Sequence, residues 1–174
     1  MRKKRKIGLI IGVIATVILL VIGVSLITRV SKLETTKTVG NTLLDYTVGK
    51  LDDSTGKAMT TAARDEFEDD GGLYEGYMSV KQFVNADGLK CKLAEKATIE
   101  YKVYYFDDHY HLLGATNWLS VDYTAADNVT SATAAAKYAK VEITPTSDAD
   151  GVISTTEISK YAKMLTVTYN KFDE

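Results

Sequence analysis

Oxygen-bearing side chains crowd one short segment, Thr146–Glu157, which reads T-S-D-A-D-G-V-I-S-T-T-E. Set against a calcium-binding loop, Asp148 falls at the third position, Asp150 at the fifth, Gly151 at the sixth and Glu157 at the twelfth. Such loops carry Asp at the first position, where this chain has Thr146. The preceding A-K-Y-A-K-V-E-I-T-P reads as a strand ended by Pro145, not as an entering helix. Two expectations therefore stand side by side: a Ca²⁺ ion held by Asp148, Asp150 and Glu157, or a plain β-turn at Asp150-Gly151.

His109 and His111 are the chain's two histidines. Residues two apart on a strand point the same way, so with Asp107 they could share a metal; at a hairpin tip they are equally at home as solvated turn residues. Among aromatic side chains, Trp118, Tyr110, Tyr104 and Tyr123 are the candidates for a binding face. Aromatic rings stack on the apolar face of a sugar and bring large contact area at low entropic cost. A Trp is also an ordinary centre for a β core. The run Asp65-Glu66-Phe67-Glu68-Asp69-Asp70 is acidic enough to hold a cation, and also reads as a solvated face. No G-x-S-x-G elbow, H-E-x-x-H pair or phosphate-cradling glycine loop is present. Cys91 is the single cysteine, which excludes an intrachain disulfide and a Cys-based zinc site. These absences point away from an enzyme and toward a binding module.

The elements that would position these residues alternate with period two from Tyr77 onward. Thr98–Phe106 (TIEYKVYYF) is the clearest strand, with Ile99, Tyr101, Val103 and Tyr105 on one face and Glu100, Lys102, Tyr104 and Phe106 on the other. Asp107-Asp108-His109 turns the chain and Tyr110–Ala115 returns as a hairpin partner. Further strands are expected at 43–50, 78–84, 89–93, 119–123, 136–144 and 164–171, with a turn at Asn85-Ala86-Asp87-Gly88. Thr60–Phe67 reads as a brief helix, 125–135 as a loop, and Thr155–Lys163 as a helical turn capped by Thr155 or Thr156. Short strands rich in Tyr, Val, Thr and Ile, with turn signals between them, predict a mainly β domain built as an antiparallel β-sandwich over 43–174. Parallel pairing would need long crossover helices for which there is no room.

Ahead of that domain, Ile7–Thr28 is 22 residues without a charge, 15 of them Ile, Leu or Val. At about 1.5 Å per residue it would span roughly 33 Å as a helix, enough for a hydrocarbon core of about 30 Å. Arg2–Lys6 is wholly basic, whereas Arg29 and Lys32 flank the other end, so the tail 1–6 is expected in the cytoplasm and the rest outside. The segment 7–28 is thus read as a single transmembrane helix in contact with membrane lipid, followed by a polar stalk at 29–42. A cleaved signal peptide, cut after Ser25, is the alternative; both place the domain outside the cytoplasm. From Leu33 onward 14 basic residues oppose 23 acidic ones, a net of 14 − 23 = −9. So acidic a domain is poorly suited to nucleic acid.

The pieces I-E-Y-K-V-Y-Y-F-D (Ile99–Asp107), L-L-G-A-T (Leu112–Thr116), A-K-Y-A-K-V-E-I-T (Ala136–Thr144) and L-T-V-T-Y-N (Leu165–Asn170) resemble bacterial extracellular β-sandwich modules of the jelly-roll kind, similar to carbohydrate-binding and galactose-binding-like modules. The resemblance covers about the last 75 residues, and its pieces are strands and turns. It implies a jelly-roll fold, binding of glycan or cell-wall polymer, and a structural Ca²⁺ in some members. The other function open to such a chain is that of an accessory subunit contacting protein partners in the cell envelope.

Overall fold

The computed structural model describes the backbone of residues 36–39 and residues 44–146, 151–170 and 172. The helix expected over 7–28, and with it Asp148 and Asp150, lies outside the described residues. No helix among the described residues is long and apolar enough to cross a membrane. From Lys37 onward the chain is one compact unit.

The described residues are mainly β. Ten strands are formed: β1 (Thr36–Val39), β2 (Tyr46–Val48), β3 (Met78–Val80), β4 (Val84–Asn85), β5 (Lys90–Leu93), β6 (Ile99–Phe106), β7 (Leu112–Ala115), β8 (Tyr123–Thr124), β9 (Tyr138–Pro145) and β10 (Leu165–Asn170). One sheet has the order β1-β10-β5-β8; the other runs β2-β3-β9-β6-β7, with β4 also pairing β9. The registered pairs are antiparallel, the longest being β6 with β9, from Ile99 opposite Pro145 to Phe106 opposite Tyr138.

The period-two pattern explains the core. Tyr101, Val103 and Tyr105 of β6 and Val141 and Ile143 of β9 share one buried cluster with Cys91, Leu165 and Val167 of the other sheet. Each fully buried Val, Leu or Ile contributes about 1.5–3 kcal/mol, so this shared interior is what holds the sheets together. The turn expected at 85–88 is present: Gly88 has φ +67°, and a Cβ there would stand 2.7 Å from Asn170 Cγ.

The outer face of the six-stranded sheet is covered as well. The chain from Gly49 to Ala58 folds back over it, with Leu51 bridging Ala58. At Gly56 (φ +63°) the backbone lies so close that a Cβ would meet Phe106 Cζ at 2.5 Å. Leu51, Tyr104 and Phe106 form a second small core there, joined by Phe83, Leu112 and Tyr138. Helix α1 (Thr61–Asp69) follows, started by Thr60, whose hydroxyl accepts from Ala63 N at 3.3 Å.

Several segments differ from the sequence expectation. The segment 29–42, read as a stalk, contains β1. Only the last residue of 119–123 is in a strand, β8, with Leu119 in an isolated bridge to Tyr101. The segment 125–135 is not a bare loop: it holds a 3₁₀ turn and helix α2 (Ser131–Ala135). Thr130 and Thr133 cap that helix reciprocally, and alanine favours it. Helix α3 (Ile158–Ala162) has Glu157, not Thr155 or Thr156, at its N-cap.

Candidate functional site

The hairpin between β6 and β7 sets the geometry of the most exposed aromatic group. Asp107 N donates to His111 O at 3.0 Å and Tyr110 N to Asp107 O at 3.3 Å. The Asp107 carboxylate accepts from the backbone N–H groups of His109 and His111, each at 2.8 Å. These bonds, that of His111 foremost, hold Asp107 below the usual carboxylate range. They close a three-residue loop, 108–110, whose last residue must take the left-handed conformation usually given to glycine. Tyr110 takes it, with φ 61°, and is the one non-glycine residue with positive φ among those described. Asp107, Asp108 and His109 offer ligand atoms within 4.8 Å of one another. Asp107 is engaged within the turn, and His109 Nδ1 lies 2.6 Å from Asp108.

Tyr110 is 40% exposed. Its ring stacks on Tyr138 at the start of β9, centroids 4.6 Å apart and planes 15° apart. Phe83 lies 4.7 Å from it, wedged edge-on against buried Phe106 at 5.0 Å. Phe172 also packs against Tyr138, with ring centroids 5.5 Å apart, and is 42% exposed. Tyr110, Tyr138 and Phe172 thus form a row backed by Phe83 and the small outer core. Lys140 Nζ lies 4.9 Å from the Phe83 ring centre. Burial, then repulsion from Lys57, lowers the Lys140 pKa.

The other aromatic candidates lie elsewhere. Trp118 is half-buried, 5.7 Å from the Tyr77 ring, with Lys102 Nζ 5.9 Å from its centre. Tyr123 is 7% exposed and accepts a 2.8 Å hydrogen bond from the Tyr105 hydroxyl in the interior. Tyr104 is fully buried beneath the 49–58 segment, so its ring offers no stacking face. The four candidates therefore do not converge, and Tyr110 alone among them belongs to the exposed row. Sequence reasoning missed Phe83, Tyr138 and Phe172; the alternation of β9 placed Tyr138 on the outer face, but Phe83 and Phe172 stand outside strands and carry no periodic signal.

Tyr104 instead centres a buried polar chain. Its hydroxyl lies 2.8 Å from Glu142 Oε2 and 2.8 Å from Asp53 Oδ1. Asp53 also receives Lys50 at 2.8 Å and Lys102 at 2.5 Å, and Glu142 Oε1 accepts from Leu51 N at 2.6 Å. One phenolic proton can serve one carboxylate, so the other must bring its own. Burial would raise Asp53, but the hydrogen bonds from Lys102, Lys50 and Tyr104 outweigh it and hold Asp53 far below the usual range. Burial raises Glu142 despite the Leu51 N–H and the nearby Lys50. Of the two carboxylates Glu142 is therefore the one that keeps a proton more readily, and the Tyr104 hydroxyl joins it to Asp53. This chain is closed on itself and pins the 49–58 segment to the sheet.

Of the calcium-loop candidates, Glu157 is described: its Oε2 accepts from Ser154 N at 3.1 Å and from Ser154 Oγ at 2.8 Å. Cys91 is buried, and burial pushes its thiol up to about 12, so it stays protonated at neutral pH. Comparison with protein families, with curated proteins and with solved structures finds no match to this chain.

Proposed function

We propose that this chain is a membrane-anchored, extracytoplasmic binding module that holds a neutral glycan or cell-wall polymer against the Tyr110–Tyr138–Phe172 row without catalysing a reaction on it. The observation that carries the reading is Tyr110: a bulky residue held at φ 61° and 40% exposed, its ring stacked on Tyr138. Non-glycine residues held in such sparsely populated conformations cluster where function requires them. A row of rings matches the flat apolar faces of successive sugars.

The strand order supports a jelly-roll reading of the fold. β1, β10, β5 and β8 make one sheet, and β3, β9, β6 and β7 are successive neighbours in the other, which also holds β2 and β4, so the first described strand lies beside the last and the connections pass repeatedly between sheets. Such double-sheet folds serve lectins as well as other proteins, so the fold is compatible with sugar binding without choosing it. The apolar run 7–28 would keep the module at the membrane surface.

Retention of the full chain on a panel of neutral polysaccharides and cell-wall polymers, in a detergent with no sugar headgroup, tests the reading. Saturable retention is expected, weakened at least about tenfold by Tyr110→Ala or Phe172→Ala, the scale of a central aromatic contact. Retention unchanged in both variants would remove the row from the binding surface. A second reading, docking to a protein partner, draws on β7, which ends the six-stranded sheet with Leu113 38% exposed. An edge strand of this kind can accept another strand, and crosslinking from position 113 in the intact membrane would capture that partner.

A further inference from the structure

A cavity of about 310 Å³ opens beside β7, on the opposite side of β6 from the small outer core. Tyr105, Tyr123, Leu119 and Thr116 line it, with the exposed Asn117 and Asn128. Helix α2 closes one wall: at Gly114 of β7 a Cβ would stand 3.2 Å from Ala132 Cβ. Two features distinguish this cavity from an incidental surface dent. No charged side chain lines it. And its two tyrosines, 2% and 7% exposed, are left with a proton to spare. Two hydroxyls carry two protons, and the 2.8 Å bond between them uses one. Neither hydroxyl has another partner among the described residues, so the tyrosine pair that lines the cavity keeps one unused donor. The side-chain amide of Asn117 also makes no hydrogen bond there, and Asn128 uses its amide nitrogen on Thr124 O, leaving its oxygen free.

We propose that this cavity binds a single neutral sugar ring through its N-acetyl group, an inference that rests on the glycan-binding reading and adds the class of sugar. The spare tyrosine proton calls for a neutral acceptor, and an acetamido carbonyl is one. Its methyl meets the apolar wall of Ala115, Leu119 and Ala132. Ring hydroxyls, which donate as well as accept, match Asn117 and Asn128. A charged sugar would enter a site with no counter-charge and lose hydration for nothing. The volume lies at the lower end of the range for small-ligand sites, which suits one ring.

The test titrates the full chain, in the same sugar-free detergent, with N-acetylglucosamine and with glucose, which differs in lacking the acetamido group. N-acetylglucosamine should saturate a single site and glucose should bind at least about tenfold more weakly, since a site built around a polar group rejects the analogue without it. A single Phe substitution would leave one hydroxyl with a free proton, so the paired variant Tyr105→Phe/Tyr123→Phe is the informative one and should lose the preference. Asn117→Ala, at an exposed position that the fold does not need, should weaken binding severalfold and keeps the test decisive if the paired variant fails to fold. Absence of saturable binding, equal binding of the two sugars, or indifference to Asn117→Ala would overturn the proposal. Polymer retention that depends on Tyr110 without any monosaccharide binding would sink the cavity and keep the aromatic row; monosaccharide binding without polymer retention would do the reverse.

Discussion

At position 110 two demands meet that the sequence shows only one of. The hairpin loop wants glycine at its last position, and an L-residue held there is disfavoured by about 1–2 kcal/mol. Stacking on Tyr138 returns about 0.5–1.5 kcal/mol, so a tyrosine is tolerated, not preferred, by the fold. Tyr110→Gly and Tyr110→Ala separate the two. Both lose the ring and should lose polymer retention, but glycine also relieves the backbone. In urea unfolding the glycine variant should be the more stable of the pair by about 1 kcal/mol; the opposite order would mean that the loop does not hold residue 110 left-handed. Tyr46 presents the reverse case, a polar atom with nothing to do. Its hydroxyl is buried without a partner among the described residues, and burial, then Cys91, holds its phenol well above the ordinary range. Tyr46→Phe removes that orphan and should stabilise the protein by about 1 kcal/mol. A loss of similar size would reveal a bound water or another acceptor at that hydroxyl.

Among the elements, β6, β7, β9 and β10 were legible because period-two alternation survives wherever one face meets a common core, and the turn at Gly88 because only its backbone chemistry was needed. What alternation could not disclose was that the other face of β6 and β9 is covered too. Lys140 and Glu142 read as polar positions, yet both are buried, because the 49–58 segment lies over them through contacts distant in sequence. The Glu142–Tyr104–Asp53 chain is the consequence, and it gives stability a pH dependence of known sign. Glu142 is raised in the folded state, so its contribution is fully present below its unfolded pKa and is lost as pH rises through the folded value. Asp53 is lowered, so its contribution is present above the ordinary carboxylate range and is lost as pH falls through its folded value. Glu142→Gln keeps an acceptor for Leu51 N and supplies a donor to Tyr104 without an ionisable proton. Between about pH 5 and about pH 9 the wild-type unfolding midpoint should fall relative to that of the glutamine variant. Parallel curves would show that Glu142 does not ionise in that interval.

For the whole molecule, the topology bears on where the domain begins. Composition marks 29–42 as a stalk, since it is polar and lacks the alternation of the later strands. A strand of four residues at the margin of a sheet carries too little pattern to be seen that way, and β1 is such a strand. Its place beside β10 has a physical consequence, because β10 supplies Leu165 and Val167 to the core and is flanked by β5 on its other side. Without β1, the last strand becomes a sheet edge whose backbone groups face solvent and invite pairing with another chain. A stalk could be cut away at no loss of stability; a strand could not. A chain beginning at Leu33 and one beginning at Leu44 therefore distinguish the two. The shorter should unfold at lower urea, by about 1–3 kcal/mol, the range of a lost structural contact of this size, and should self-associate more readily as concentration rises. Equal midpoints would make 29–42 a spacer that the folded domain does not need. A lower midpoint would make β1 part of the folded domain, which then begins before Leu44 and keeps β10 paired on both sides.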